Sequence, residues 1–242
     1  MDTFSPSILI TDIDQACVDI LVRKCKSMGN GNATINRKLT ALSVMLKFAV
    51  ERGYITSIPI IKKMRESNEL QVWFSEEEKS KMVTILNNNG KAHISSLILF
   101  LCDTGLRVSE ALRLKWEDCV GNNITVWHSK NDKPRTIPQT QQVIDILETL
   151  SKDVRGPFYE ISYSETRHAW DKMRNAMGKS GSEGWTIHGC RHTFCSNLVQ
   201  QNVPIQVVAS LAGHSDIRMT MRYAHLNTSV LEEAIQKLNE RN

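Results

Sequence analysis

Apolar residues return every three or four positions along most of this chain, the spacing that lines one face of an α-helix. Ile13, Ala16, Cys17, Ile20, Leu21 and Met28 make the first stripe, with Thr11-x-x-Asp14 to cap it and Gly29 and Gly31 to stop it. Ile35, Leu39, Leu42, Leu46 and Ala49 predict a second helix from about residue 34 to 52, ended by Gly53. "ITSIPIIKKMRESNELQVW" has no clear period and reads as a linker, with a domain boundary near residue 69. Ser75-x-x-Glu78 is a capping-box pattern that opens a second domain. "HISSLILFLC" (93–102) reads as a buried helix, well short of the ~20 residues of a membrane span. "DTGLRVSEALRLKW" turns at Gly105 and starts another helix. The period changes to two in "NITVWHSKNDKPRTIP" (123–138), where the polar "KNDK" breaks the alternation and predicts a β-hairpin. Helical spacing then resumes over about 139–151, 164–178, 187–202, 204–212 and 228–240. The expected fold is mainly α with a small antiparallel β-sheet (α+β): a small helical domain over 1–68 and a larger domain over 69–242.

Composition adds bounds. A hydrophobic content of 41% over 242 residues suits a soluble globular protein. Residues 1–10 carry no basic n-region of a signal peptide. The six cysteines are scattered without a CxxC pair, which fits free thiols in a reducing cytoplasm. The net charge of +4 matters less than its placement. Residues 23–65 hold ten Lys or Arg against one acid, Glu51. Solvated helices mix signs, so this stretch points to a polyanion partner; the competing reading is a solubilising basic face.

The densest chemistry lies in "TIHGCRHTFCSNLV" (186–199). On a helix His188, His192 and Cys195 share one face, as three zinc ligands would. Arg191 shares that face too, a permanent cation beside a dication, and no fourth ligand accompanies the group. His188 and Arg191 suit a phosphate better: the guanidinium forks onto two oxygens and the imidazole donates or exchanges a proton. The cysteines then read as small core residues and His192 as a hydrogen-bonded structural histidine.

H-x-x-R alone is weak, but it has company. "TGLRVSE" carries Arg107 upstream, Lys130 sits on the hairpin turn, and "LAGHSD" and "MTMRYAH" carry His214 and Tyr223 downstream. In order and spacing these boxes resemble the tyrosine recombinase (phage integrase) family over roughly residues 70–242. "TINRKLTALSVMLKFAV" is similar to that family's core-binding domain. The chain departs from it at Gly189-Cys190, where an acid and an apolar residue are usual, and has no room for an extra arm-binding domain, as a fragment or a short member would.

The resemblance implies a core DNA-binding domain over 1–68, a catalytic domain with a C-terminal exchange helix over 69–242, and a site of Arg107, Lys130, His188, Arg191, His214 and Tyr223. Tyr223 would attack a DNA phosphodiester to leave a 3′-phosphotyrosine and a 5′-hydroxyl. Arg107 and Arg191 would hold the charge that builds on the phosphate, and His188 and His214 would complete the pocket. Lys130 would protonate the leaving oxygen, and Glu110 would support the site. No metal and no cofactor is implied, since arginines take the place of metal ions. Arg23, Lys24, Lys26, Arg37, Lys38, Lys47, Lys62 and Lys63 would grip the backbone of double-stranded DNA. The expected assembly is a homo-tetramer on two duplexes, with accessory DNA-bending proteins and no membrane, in a bacterial cytoplasm at the nucleoid. The tail's apolar stripe, Val230, Leu231, Ala234, Ile235 and Leu238, would pack on its own domain or dock on a neighbouring protomer. The rival readings are an inactive DNA-binding protein of the same fold and a type IB topoisomerase-like strand relaxer.

Overall fold

The structure is a computed structural model that describes residues 8–66, 72–127, 134–182 and 184–226. The chain divides into two compact units, Met1–Asn68 and Glu69–Asn242.

The first unit is built on two helices, α1 (Gln15–Ser27) and α2 (Asn32–Glu51). Asp14 caps α1 by accepting the Cys17 N–H at 2.9 Å, and the turn after it passes through Gly29 in a left-handed conformation. Ile35, Leu39, Leu42 and Leu46 of α2 face Val18, Leu21 and Cys25 of α1. The α2 stripe is the one its spacing predicts. The α1 stripe is rotated from the expectation: Ile20 and Met28 are exposed. Two apolar arcs lie on α1, and α2 decides which is buried. Residues 55–66 do not form a free linker. They lack helix and strand, yet Ile55, Ile58, Ile61 and Met64, every third residue, pack on the helices. Asn36, buried in α2, brackets Met64 by donating to its carbonyl at 2.9 Å and accepting its N–H at 2.8 Å. The expectation failed because a period of three matches neither regular element.

The second unit opens with the capping box at Ser75 and Glu78, which starts α3 (Glu76–Asn88). Helix α4 (Ala92–Thr104) is buried nearly all round, by Ile94, Leu97, Ile98, Phe100, Leu101 and Cys102 among others. After α5 (Val108–Ala111) come β1 (Cys119–Val120), β2 (Asn123–Val126) and β3 (Arg135–Pro138), one antiparallel sheet in that order. Val126 pairs with Arg135, so the hairpin is present, and β1 is a strand the sequence pattern did not reveal. Four helices follow, α6 (Gln141–Thr149), α7 (Tyr163–Ala176), α8 (Gly189–Gln200) and α9 (Ile205–Ala212), and then one turn, α10 (Arg218–Met221). Helix α4 packs against α3, α6 and α8, and α8 against α9. No described helix is long and apolar enough to cross a membrane.

Candidate functional site

The site is assembled by helix ends. Gly105 terminates α4 at φ +64, and a Cβ there would stand 2.3 Å from the Phe194 ring. Only glycine meets both demands. The chain then turns so that Arg107 becomes the N-cap of α5. Its backbone N–H donates to Glu110 at 2.9 Å and its guanidinium reaches the other carboxylate oxygen at 2.9 Å.

Helix α8 brings the second arginine. His188 precedes its first turn, and Gly189 lets Phe74 come so close that a Cβ would stand 2.4 Å from the ring. This close approach explains the departure at Gly189. Arg191 is 2% exposed and donates through Nη1 to the Gly105 carbonyl at 2.8 Å. The turn that presents Arg107 is thus tied to Arg191. Its Nη2 is buried and has no hydrogen-bond partner among the described residues. A buried cationic donor left open is costly unless a ligand fills it.

Helix α9 ends at Gly213 with φ +69, delivering His214, whose Nδ1 lies 2.7 Å from the hydroxyl of buried Thr220. Three residues on, Tyr223 is 2% exposed, its hydroxyl 2.5 Å from His192 Nδ1. His192 in turn meets His188 edge to face, with ring centroids 4.9 Å apart.

The electrostatics agree with this clustering. Desolvation by the surrounding protein, then Arg191, Arg107 and Arg222, holds His188 down to about 4, although the residue as a whole is exposed. Burial, then His188, Arg222 and Arg191, holds His192 at about 4. Burial, then Arg191 and Arg107, takes His214 to about 3. All three are neutral at pH 7 and able to donate or accept. Burial, then Arg107, lowers Arg191 to about 10, which leaves it charged at neutral pH. Burial, then Cys195, raises Tyr223 above the ordinary phenol value.

Arg107, Glu110, His188, Arg191, His214 and Tyr223 therefore converge; Lys130 and the tail stripe lie outside the described residues. His188 and Arg107 also line an open cavity of about 790 Å³ with Tyr163, Arg167, Trp170 and Arg174. Among the described residues no three His, Cys, Asp or Glu side chains gather as a metal ion needs. In the basic first unit Arg23, Lys26, Arg37, Lys38, Lys47, Lys62 and Lys63 are exposed and Lys24 is half-buried. One pairing and one residue escaped the sequence reading. His192 is the partner of Tyr223, and Arg135, on β3, donates to Glu110 at 2.7 Å. Arg135 lies two residues beyond the polar turn, in no motif that marks it.

Residues 72–229 match the Phage integrase family, which is more than half of the chain. The chain belongs to this family. The integrase of Escherichia phage 186 is 30% identical over 185 residues, covering 74% of this chain and 52% of that one. The chain spans between half and two thirds of the length of the phage integrases of this kind that it matches. Among solved structures, the catalytic domain of bacteriophage HP1 integrase is 27% identical with a TM-score of 0.57, covering 69% of this chain and 94% of that one. The fold extends to the integrase of transposon Tn1549, solved in complex with circular intermediate DNA: TM-score 0.71 at 20% identity, over 90% of this chain and 82% of that one.

Proposed function

We propose that this integrase-family chain is a site-specific DNA recombinase that cleaves and rejoins duplex DNA through Tyr223. The observation that carries this reading is the buried, unpartnered Nη2 of Arg191 beside Arg107, three neutral histidines and a tyrosine. It is a donor set that suits an anion such as a DNA phosphate.

The reaction exchanges one phosphodiester for another. DNA opens the site and draws the Tyr223 hydroxyl from His192 to the phosphorus. The Oη–P bond forms, the P–O5′ bond breaks, and the phenolic proton passes to one of the neutral histidines, which becomes an imidazolium. Lys130 gives a proton to the departing 5′-oxygen. Arg107 and Arg191 bind the non-bridging oxygens as charge develops on them. A 5′-hydroxyl from a second duplex reverses the step, and the bond energy is retained in the phosphotyrosine. The first unit grips the backbone through its lysines and arginines, and four copies act on two duplexes.

The test is a nicked duplex carrying the chain's own core site, sought beside its gene. The native chain should form a denaturant-resistant adduct, in EDTA as well as without it. Tyr223→Phe should bind the same duplex and form none. Adduct formed by the Phe variant would end this reading.

A further inference from the structure

Arg135 is buried at the heart of the candidate site, and the reaction above gives it no task. Its side chain is 7% exposed. Nη2 donates to Glu110 Oε2 at 2.7 Å, Nη1 reaches Oε1 at 3.3 Å, and Nε donates to the Leu211 carbonyl at 3.2 Å. Its stem also lies under the turn before His214, where a Cβ on Gly213 would stand 2.8 Å from Arg135 Cδ. Held on three sides, this guanidinium is not free to turn toward a substrate.

Glu110 is 5% exposed at its side chain and bonds both the backbone N–H and the guanidinium of Arg107. A carboxylate so placed, left with Arg107 alone, would cancel the charge that Arg107 brings to the cavity. With Arg135 on the same two oxygens, the group of three carries one net positive charge. The member that reaches the cavity is Arg107, 23% exposed at its side chain.

We infer that Arg135 is a positioning residue: by sharing the Glu110 carboxylate it leaves Arg107 with charge to spend on the scissile phosphate. This rests on the function proposed above. The hydrogen bonds of Arg135 go to Glu110 and the Leu211 carbonyl, so it acts through Glu110 and Arg107. The sequence places it two residues beyond the "KNDK" turn, so the strand that carries Lys130's hairpin also supplies the counterweight to Glu110.

The experiment follows adduct formation by the full chain on nicked duplexes with either a normal scissile phosphate or an uncharged methylphosphonate there. Arg135→Gln should slow adduct formation by roughly tenfold or more, up to the ~100- to 1,000-fold lost when a donor to a developing oxyanion is removed outright. DNA affinity should barely change. On the methylphosphonate the penalty should shrink, because Arg107 then has less charge to answer. The double variant Glu110→Gln with Arg135→Gln should recover most of the rate, since no carboxylate remains to cancel Arg107. A double variant as slow as Arg135→Gln, or an equal penalty on both substrates, would make Arg135 a structural brace only. Melting curves accompany each variant. Should Arg135→Gln melt below the assay temperature, Arg135→Lys decides: it keeps the charge, so a rate near the native one is required, and a full loss overturns the inference. A native chain that forms no Tyr223 adduct defeats the parent reading instead, and this inference falls with it.

Discussion

At the scale of single residues, the candidate site is a set of charges and neutral bases, with Arg191 and Tyr223 buried and Arg107 and His188 on an open cavity. The folded pKa values of His188 and His192 are near 4 and that of His214 near 3, all below the unfolded value of 6.5. Between those values the unfolded chain binds more protons than the folded one, so acid favours unfolding. The stabilising contribution is complete above about pH 6.5 and is lost as the pH falls toward 4. The melting temperature of the second unit should therefore be level near neutrality and drop across that window. A melting temperature unchanged down to about pH 4.5 would contradict these neutral histidines. Most of the residues that converge were legible as residue types at intervals: Arg107, His188, Arg191, His214 and Tyr223 stand in boxes. Arg135 and the pairing of His192 with Tyr223 were not, because a contact between distant segments leaves no period in the sequence.

At the scale of elements, helix termini do the placing. Gly105 and Gly213 stop α4 and α9 in left-handed turns and deliver Arg107 and His214 within a residue or two. Gly105→Ala combines a strained φ with a collision against Phe194, so it should destabilise the second unit by about 2 kcal/mol or more and reduce adduct formation with it. Normal melting in that variant would show that Phe194 yields freely. Helix α8 was expected over about 187–202 and is present, but which of its faces is buried was hard to read. It is buried on most sides, by Cys190, Arg191, Thr193, Phe194, Cys195 and Ser196, so it has no single apolar stripe. The short strand β1 and the inward turns of residues 55–66 were hidden for a related reason: a two-residue strand and a period of three fall below what helical and strand templates detect. Lys130, assigned to the leaving group, makes a separate prediction at this scale. Lys130→Ala should slow cleavage and leave binding almost intact, and a 5′-bridging sulfur, which departs without a proton, should restore the rate. Failure of that rescue would move the acid elsewhere, with Lys133 the first candidate.

At the scale of the whole molecule, the chain divides into two units: the first carries the one-sign charge, the second the converging residues. Binding dominated by phosphate contacts must weaken steeply with salt. Replacing both Lys62 and Lys63 by Ala should lower the slope of log affinity against log salt by about 2, roughly one per lost phosphate contact, and do so on any sequence. A slope unchanged in that variant would remove these lysines from the DNA-facing surface. The most direct test of the account is the identity of the covalent bond. The native chain is trapped on a nicked duplex, trimmed with nuclease and protease, and the modified peptide is sequenced by mass spectrometry. The account predicts one modified residue, Tyr223, joined to the 3′-phosphate of the cleaved strand with a free 5′-hydroxyl opposite; a nucleotide on another side chain, a 5′-phosphate linkage, or no adduct at all would contradict it.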